Sequence, residues 1–156
     1  MHHPPLIILE DKPEEINKIR SALDILDIPN PQYYFTRSDE MRAFLNETYA
    51  SANPSLLFRP AFFLFDFQIE ESSITDRLKW LKSHPLFCSV PAIVFSDTRE
   101  QERIDSCYAH GCSGYFLKPS NAEGYTRILE TIYQFWKTLE QNAAAESKRG
   151  SYLKMP

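Results

Sequence analysis

Five side chains at four separated places in this 156-residue chain have the types needed to do chemistry together: Glu10-Asp11, Asp66, Ser96 and Lys118. Each place closes a short apolar run, respectively Leu6-Ile7-Ile8-Leu9, Ala61-Phe62-Phe63-Leu64-Phe65, Pro91-Ala92-Ile93-Val94-Phe95 and Tyr115-Phe116-Leu117. If these runs lie side by side, three carboxylates meet at one mouth. At an effective dielectric of about 20, two such charges about 4 Å apart repel by roughly 4 kcal/mol, so something positive must offset them. Lys118 supplies one charge. Magnesium fits the remainder, because hard oxygen ligands and several retained waters are its usual setting.

An ionised Asp66 beside such a metal is a nucleophile suited to a phosphoryl group, since carboxylates form acyl phosphates. Phosphoryl transfer asks mainly for positioning and for neutralisation of charge on the equatorial oxygens. A metal on one oxygen, the Lys118 ammonium on a second and the Ser96 hydroxyl on a third would supply both.

The apolar runs are too short to be helices and read as strands buried on both faces. Between them the apolar spacing turns helical. Pro13-Glu14-Glu15 opens a first helix carrying Ile16, Ile19, Leu23 and Leu26, which stops at Pro29-Asn30-Pro31; proline suits the first turn and acids there suit the helix dipole. Gln32 to Thr36 is a second, aromatic strand, and Ser38 caps a second helix with Met41, Phe44 and Leu45 on one face. Asn46 to Pro60 reads as a ragged helix end and a long loop. A third helix carries Ile74, Leu78 and Leu81. A fourth, capped by Asp97 or Thr98, ends at Gly111, and a fifth runs from about Glu123 to Leu139. Residues 140–156 are small, polar and charged, which predicts a flexible C-terminal tail.

Strands alternating with helices imply an α/β fold: a five-stranded parallel sheet, doubly wound, with right-handed crossovers and the functional groups at the carboxyl ends of its strands. The set Glu10-Asp11, Asp66, Ser96 and Lys118-Pro119, in this order and on these strand ends, resembles a response-regulator receiver domain over about residues 5–139, with its flavodoxin-like (β/α)5 fold. Cys107-Tyr108 and the aromatic stretch from Tyr115 to Trp136 are similar to single-domain receivers paired with phytochrome-like histidine kinases.

The resemblance implies a role in two-component signal transduction. Asp66 would be the phosphoacceptor, taking its phosphoryl group from a histidine kinase, a phosphotransfer protein or a small phosphodonor. Mg2+ would be held by Asp11, Asp66 and the backbone carbonyl of Gln68, with Glu10 acting through water. Ser96 and Lys118 would hold the phosphoryl oxygens, the Lys118-Pro119 peptide bond would be cis, and Tyr115 would turn inward with Ser96 as a switch. The face formed by the fourth helix, fifth strand and fifth helix would meet a downstream protein target. Such a chain is a phosphoacceptor that assists its own phosphorylation and dephosphorylation, not an enzyme in the ordinary sense. It departs from the family where Glu70-Glu71-Ser72-Ser73 replaces a commoner proline and glycine; acids there would weaken the approach of an anionic donor or select a kinase with a basic surface.

Composition excludes several other classes. A formal net charge of -4 leaves no basic footprint for nucleic acid or for an anionic membrane. Four glycines, at 111, 114, 124 and 150, cannot write a P-loop or a dinucleotide fingerprint. Three cysteines without a CxxC pair read as reduced thiols, and the N-terminus has neither a basic region nor a long apolar core, so the chain is expected to be cytoplasmic. A haloacid-dehalogenase-like phosphatase needs a second aspartate two residues beyond the first, where Gln68 stands.

Taken singly, the five positions have plainer readings. Asp66 could cap a turn, Glu10-Asp11 could serve a helix dipole, Ser96 could cap a helix and Lys118 could be solvated. Cys107 and Cys112 with His110 between them are read as small buried residues. Tyr125, Tyr133, Phe135 and Trp136 exceed one core stripe, and so suggest either a contact face, with a homodimer, or a plain core helix. The alternative to a phosphorylation switch is a binding module of the same fold, whose partner would bind regardless of Asp66.

Overall fold

The computed structural model describes residues 3–50, 59–69 and 72–153, with side chains described as far as residue 146. Its strands are β1 (Leu6–Leu9), β2 (Gln32–Phe35), β3 (Phe62–Phe65), β4 (Ala92–Ser96) and β5 (Gly114–Leu117). Its helices are α1 (Pro13–Ile25), α2 (Ser38–Ala50), α3 (Ile74–Ser83), α4 (Gln101–Ala109) and α5 (Ala122–Leu153). All strand pairs are parallel and the order is β2-β1-β3-β4-β5. This is the doubly wound, flavodoxin-like arrangement expected from the alternation of apolar runs and helical stripes.

Period-two alternation divides each central strand between two cores. Ile7 and Leu9 of β1 and Phe63 and Phe65 of β3 pack with Met41, Leu45, Leu78, Leu81 and Cys107 from α2, α3 and α4. Leu6, Ile8, Phe62 and Leu64 face the other way, onto Ile19 and Leu23 of α1 and Tyr125, Leu129, Ile132 and Trp136 of α5. Both faces of β1, β3 and β4 are therefore dry, which is why β1, β3 and β4 as far as Phe95 are unbroken apolar runs. A buried Phe, Leu or Ile contributes about 1.5–3 kcal/mol relative to an exposed one, so β1 and β3, with four such residues each, anchor the middle of the sheet.

The register fixes the site. Leu9 pairs with Phe65, and Val94 with both Phe65 and Tyr115. Glu10 and Asp66 follow the Leu9–Phe65 pair, and Lys118 follows Leu117, which pairs with Ser96 at the end of β4, so all four emerge at one edge of the sheet.

Helix ends differ from the sequence expectation in three places. α2 runs to Ala50, past the point where its apolar stripe fades, and residues 51–58 of the expected loop lie outside the described residues. α4 begins at Gln101, with Glu100 at the N-cap position and no side-chain capping bond, so Asp97 and Thr98 belong to the β4–α4 loop. α5 continues beyond Leu139 to Leu153, through residues expected to fray. The reason is local: residues 140–148 are mostly Glu, Gln, Ala and Lys, good helix formers that can extend an exposed helix without a core face. No helix among the described residues is long and apolar enough to cross a membrane.

Candidate functional site

Three carboxylates converge where the sheet ends. Ligand-capable oxygens of Glu10, Asp11 and Asp66 all lie within 4.8 Å of one another. Glu10 and Asp66 are buried, at 2% and 5% exposure, and Asp11 is half-buried. Asp11 also lines an open groove with Lys12, Gln68 and Ile69, which gives the cluster access to solvent.

Lys118 is the resident counter-charge. Its Nζ lies 2.8 Å from Glu10 Oε2, 3.3 Å from Asp66 Oδ1 and 3.8 Å from Glu15 Oε2. Burial opposes its charge, but Asp66, Glu10 and Glu15 together outweigh that and hold the ammonium above its ordinary range. Glu10 responds the other way: burial, then the nearby Asp66, push its carboxyl up to about 7, against the opposing hydrogen bond and charge of Lys118. The backbone N–H of Lys12 also donates to Glu10 Oε1, at 3.2 Å. Two buried acids with one lysine between them thus leave a charge deficit that a divalent cation would satisfy, and the oxygen-only donor set suits a hard ion such as Mg2+.

Backbone bonds hold each strand end in place. Asp66 N–H donates to Leu9 C=O at 3.0 Å, locking the residue just after β3 to the end of β1. Lys118 N–H donates to Ser96 C=O at 2.8 Å, locking the fifth strand to the fourth. Ser96 is fully buried, and its Oγ accepts from Thr98 N–H at 3.1 Å, which shapes the start of the β4–α4 loop. Tyr115 is half-buried and its hydroxyl donates to Thr98 C=O at 2.6 Å, while its own N–H donates to the Tyr108 hydroxyl at 3.1 Å. Ser96 and Tyr115 therefore address the same loop from two strands.

The expected cis bond is not found: no described peptide bond is cis, and Lys118-Pro119 is trans. Trans is the ground state of an X-Pro bond by about 0.5–1 kcal/mol, and nothing in the dipeptide itself reverses that preference. The turn into α5 is set instead by Asn121, whose Oδ1 accepts from Gly124 N–H at 2.8 Å. A Cβ at position 124 would sit 2.5 Å from the Pro119 Cβ, so only glycine permits this approach.

Two participants are not legible as site residues in the sequence. Glu15, one turn into α1, accepts a hydrogen bond from the Tyr125 hydroxyl of α5 and faces Lys118. Arg77 of α3 is fully buried and reaches back to the end of β3. Amphipathic spacing places Arg77 beside the core residues Ile74, Leu78 and Leu81, and a charged residue at a core position was the available signal. Glu70 and Glu71 lie outside the described residues; an antiparallel bridge between Ile69 and Ser72 flanks them.

Tyr125, Tyr133 and Trp136 turn out to be core residues packed against β3 and β4, which accounts for most of the aromatic surplus in α5. Phe135 is only partly buried and packs edge-on against Phe116, with ring centroids 5.7 Å apart.

No protein-family model matches the sequence, and a search of curated proteins finds no match. Solved structures do match. The phosphorylated cyanobacterial phytochrome response regulator RcpA superposes with a TM-score of 0.75 at 24% identity, covering 88% of this chain and 96% of that one. The chain has the response-regulator receiver fold. A second receiver-fold structure, the response regulator RPA3017 of red light signalling in R. palustris, gives 0.75 at 16% identity over 86% of this chain and 94% of its own. A third, the Mn(2+)-bound form of response regulator Rcp1, gives 0.72 at 18% identity with the same coverages. In a receiver fold the convergence of Glu10, Asp11, Asp66 and Lys118 falls at the carboxyl edge of the sheet, where this class of fold gathers its functional groups.

Proposed function

We propose that this chain is a response regulator of two-component signalling that accepts a phosphoryl group on Asp66. The carrying observation is the cluster of Glu10, Asp11 and Asp66 oxygens within 4.8 Å, with Lys118 Nζ 3.3 Å from Asp66, on a receiver fold. Asp11, Asp66 and the backbone carbonyl of Gln68 would hold Mg2+, with Glu10 acting through its waters. The ion supplies neutralisation of charge on the incoming phosphoryl oxygens.

In the transfer, an Asp66 carboxylate oxygen forms the new P–O bond as the P–N bond of a donor phosphohistidine breaks, and the electron pair of that bond leaves with the imidazole. Lys118 holds one phosphoryl oxygen, leaving Glu10 to do so, and the Ser96 hydroxyl turns toward another. Movement of Ser96 alters the β4–α4 loop, which Tyr115 reads through its bond to Thr98 C=O. The output face is then α4, β5 and α5, where Tyr108 is exposed and Phe116 and Phe135 are partly so. A downstream protein, or a second copy forming a homodimer, would dock there, and the donor would be a histidine kinase or phosphotransfer protein.

Incubation with Mg2+ and acetyl phosphate, followed by intact-mass spectrometry, tests this reading. A single phosphoryl adduct is expected on the wild type and none on Asp66→Asn. An unmodified wild type, under conditions that label an active receiver, overturns it.

A further inference from the structure

The β3–α3 turn carries the chemistry, yet it lacks a proline or glycine to fix its course. Asp66 N–H is held by Leu9, but the carbonyls of Asp66 and Phe67 have left the ladder. Arg77 takes both: Nη1 donates to Asp66 C=O at 2.6 Å and Nη2 to Phe67 C=O at 2.9 Å. Its guanidinium also lies over the Phe65 ring, 5.5 Å from the centroid. The side chain is 0% exposed.

Burying a guanidinium costs several kcal/mol, whereas a Leu or Met in the first turn of α3 would fill the same space without that penalty. What arginine adds is a rigid planar fork whose two arms bond two successive carbonyls at once. A lysine, with one point charge on a flexible stem, has no such pre-organised fork. The two carbonyls belong to the peptide units joining Asp66 to Phe67 and Phe67 to Gln68. Fixing both planes fixes the direction in which the Asp66 side chain and the Gln68 backbone leave the turn. The fork thus bonds the main chain of Asp66 itself, one of the three acids that converge at this edge.

We infer that Arg77 is a positioning residue: by clamping the Asp66 and Phe67 carbonyls it sets the angle between the Asp66 carboxylate and the Gln68 carbonyl, and so the geometry offered to Mg2+. The inference rests on the receiver reading above. It gives α3 a direct hold on the metal site, which the sequence pattern of that helix alone would assign to packing. Residues that orient metal ligands from behind typically change affinity about 10–100-fold when removed.

The test compares wild type, Arg77→Met and Arg77→Lys by Mg2+ titration calorimetry, and by amide hydrogen exchange at Phe67, Gln68 and Ile69 without metal. Circular dichroism and thermal melting establish which variants are folded. Expected are an Mg2+ Kd raised about 10-fold or more in Arg77→Met, a smaller rise in Arg77→Lys, and faster exchange at the three amides in both. A folded Arg77→Met with Kd and exchange within two-fold of wild type overturns the inference. If Arg77→Met does not fold, Arg77→Lys decides by the same criterion. Should the wild type bind no Mg2+ and form no phosphoryl adduct, the receiver reading fails on its own, and unchanged exchange in the folded variant still overturns the role of Arg77.

Discussion

Lys118 sits closer to Glu10 than to Asp66, 2.8 Å against 3.3 Å. The ammonium is therefore shared between two buried acids, with its shorter contact to Glu10. Burial and the neighbouring Asp66 raise the Glu10 carboxyl from an ordinary 4.5 to about 7. Between those values the folded protein keeps a proton that the unfolded chain has released. Stability then falls as pH rises through this window, and the loss is complete above about 7.

Glu10→Gln removes the ionisation while keeping the shape. In EDTA, the melting temperature of the variant relative to wild type is expected to rise between pH 5 and pH 8 by at least a few degrees, corresponding to about 1–3 kcal/mol. Mg2+ should stabilise the wild type more than the variant, because its binding favours an ionised Glu10. Thermal melts at the two pH values, with and without Mg2+, check both statements. A difference that stays flat with pH would show that Glu10 is ionised throughout.

The three thiols are expected to separate cleanly. Cys88 is exposed, whereas Cys107 and Cys112 are buried. Burial pushes both buried thiols up, Cys112 to about 12 with a further contribution from Cys107. A raised thiol value means less thiolate, the reactive form, at any working pH. Native protein at pH 8 should therefore react with one equivalent of a thiol reagent within minutes, and denatured protein with three, as counted by mass. Fast reaction of a second native thiol would show that the α4–β5 region opens.

The strands and the five strand-end positions were legible because each is a local statement: an apolar run followed by one polar side chain. Leu6–Leu9 and Phe62–Phe65 are buried on both faces, so no alternation obscures them. Roles that depend on where a side chain reaches were not legible. Arg77 bonds residues ten and eleven positions earlier, and Glu15 meets Tyr125 across 110 residues. The end of α5 escaped because an exposed helix needs no apolar stripe, and Leu139 is merely where the stripe stops. The Lys118-Pro119 bond was expected to be cis from resemblance alone, and residues in the dipeptide carry no such information.

Asn30 ties the base of the molecule together and offers a stability test remote from the site. Its side chain is buried, Nδ2 donates to Pro4 C=O at 2.7 Å, and Oδ1 accepts from the Tyr133 hydroxyl at 2.6 Å. One amide thus links the residue leading into β1, the turn before β2 and the middle of α5. Asn30→Ala would leave a buried hydroxyl and a partly buried carbonyl without this partner, at a cost of about 1–3 kcal/mol. For a chain of this size that lowers the melting temperature by about 2–4 °C per kcal/mol. Tyr133→Phe removes only one of the two bonds and should cost less. In a double-mutant cycle, Asn30→Ala with Tyr133→Phe should be less destabilising than the sum of the two, because the second change removes a hydroxyl already stranded by the first. Strict additivity would mean that the two side chains act independently.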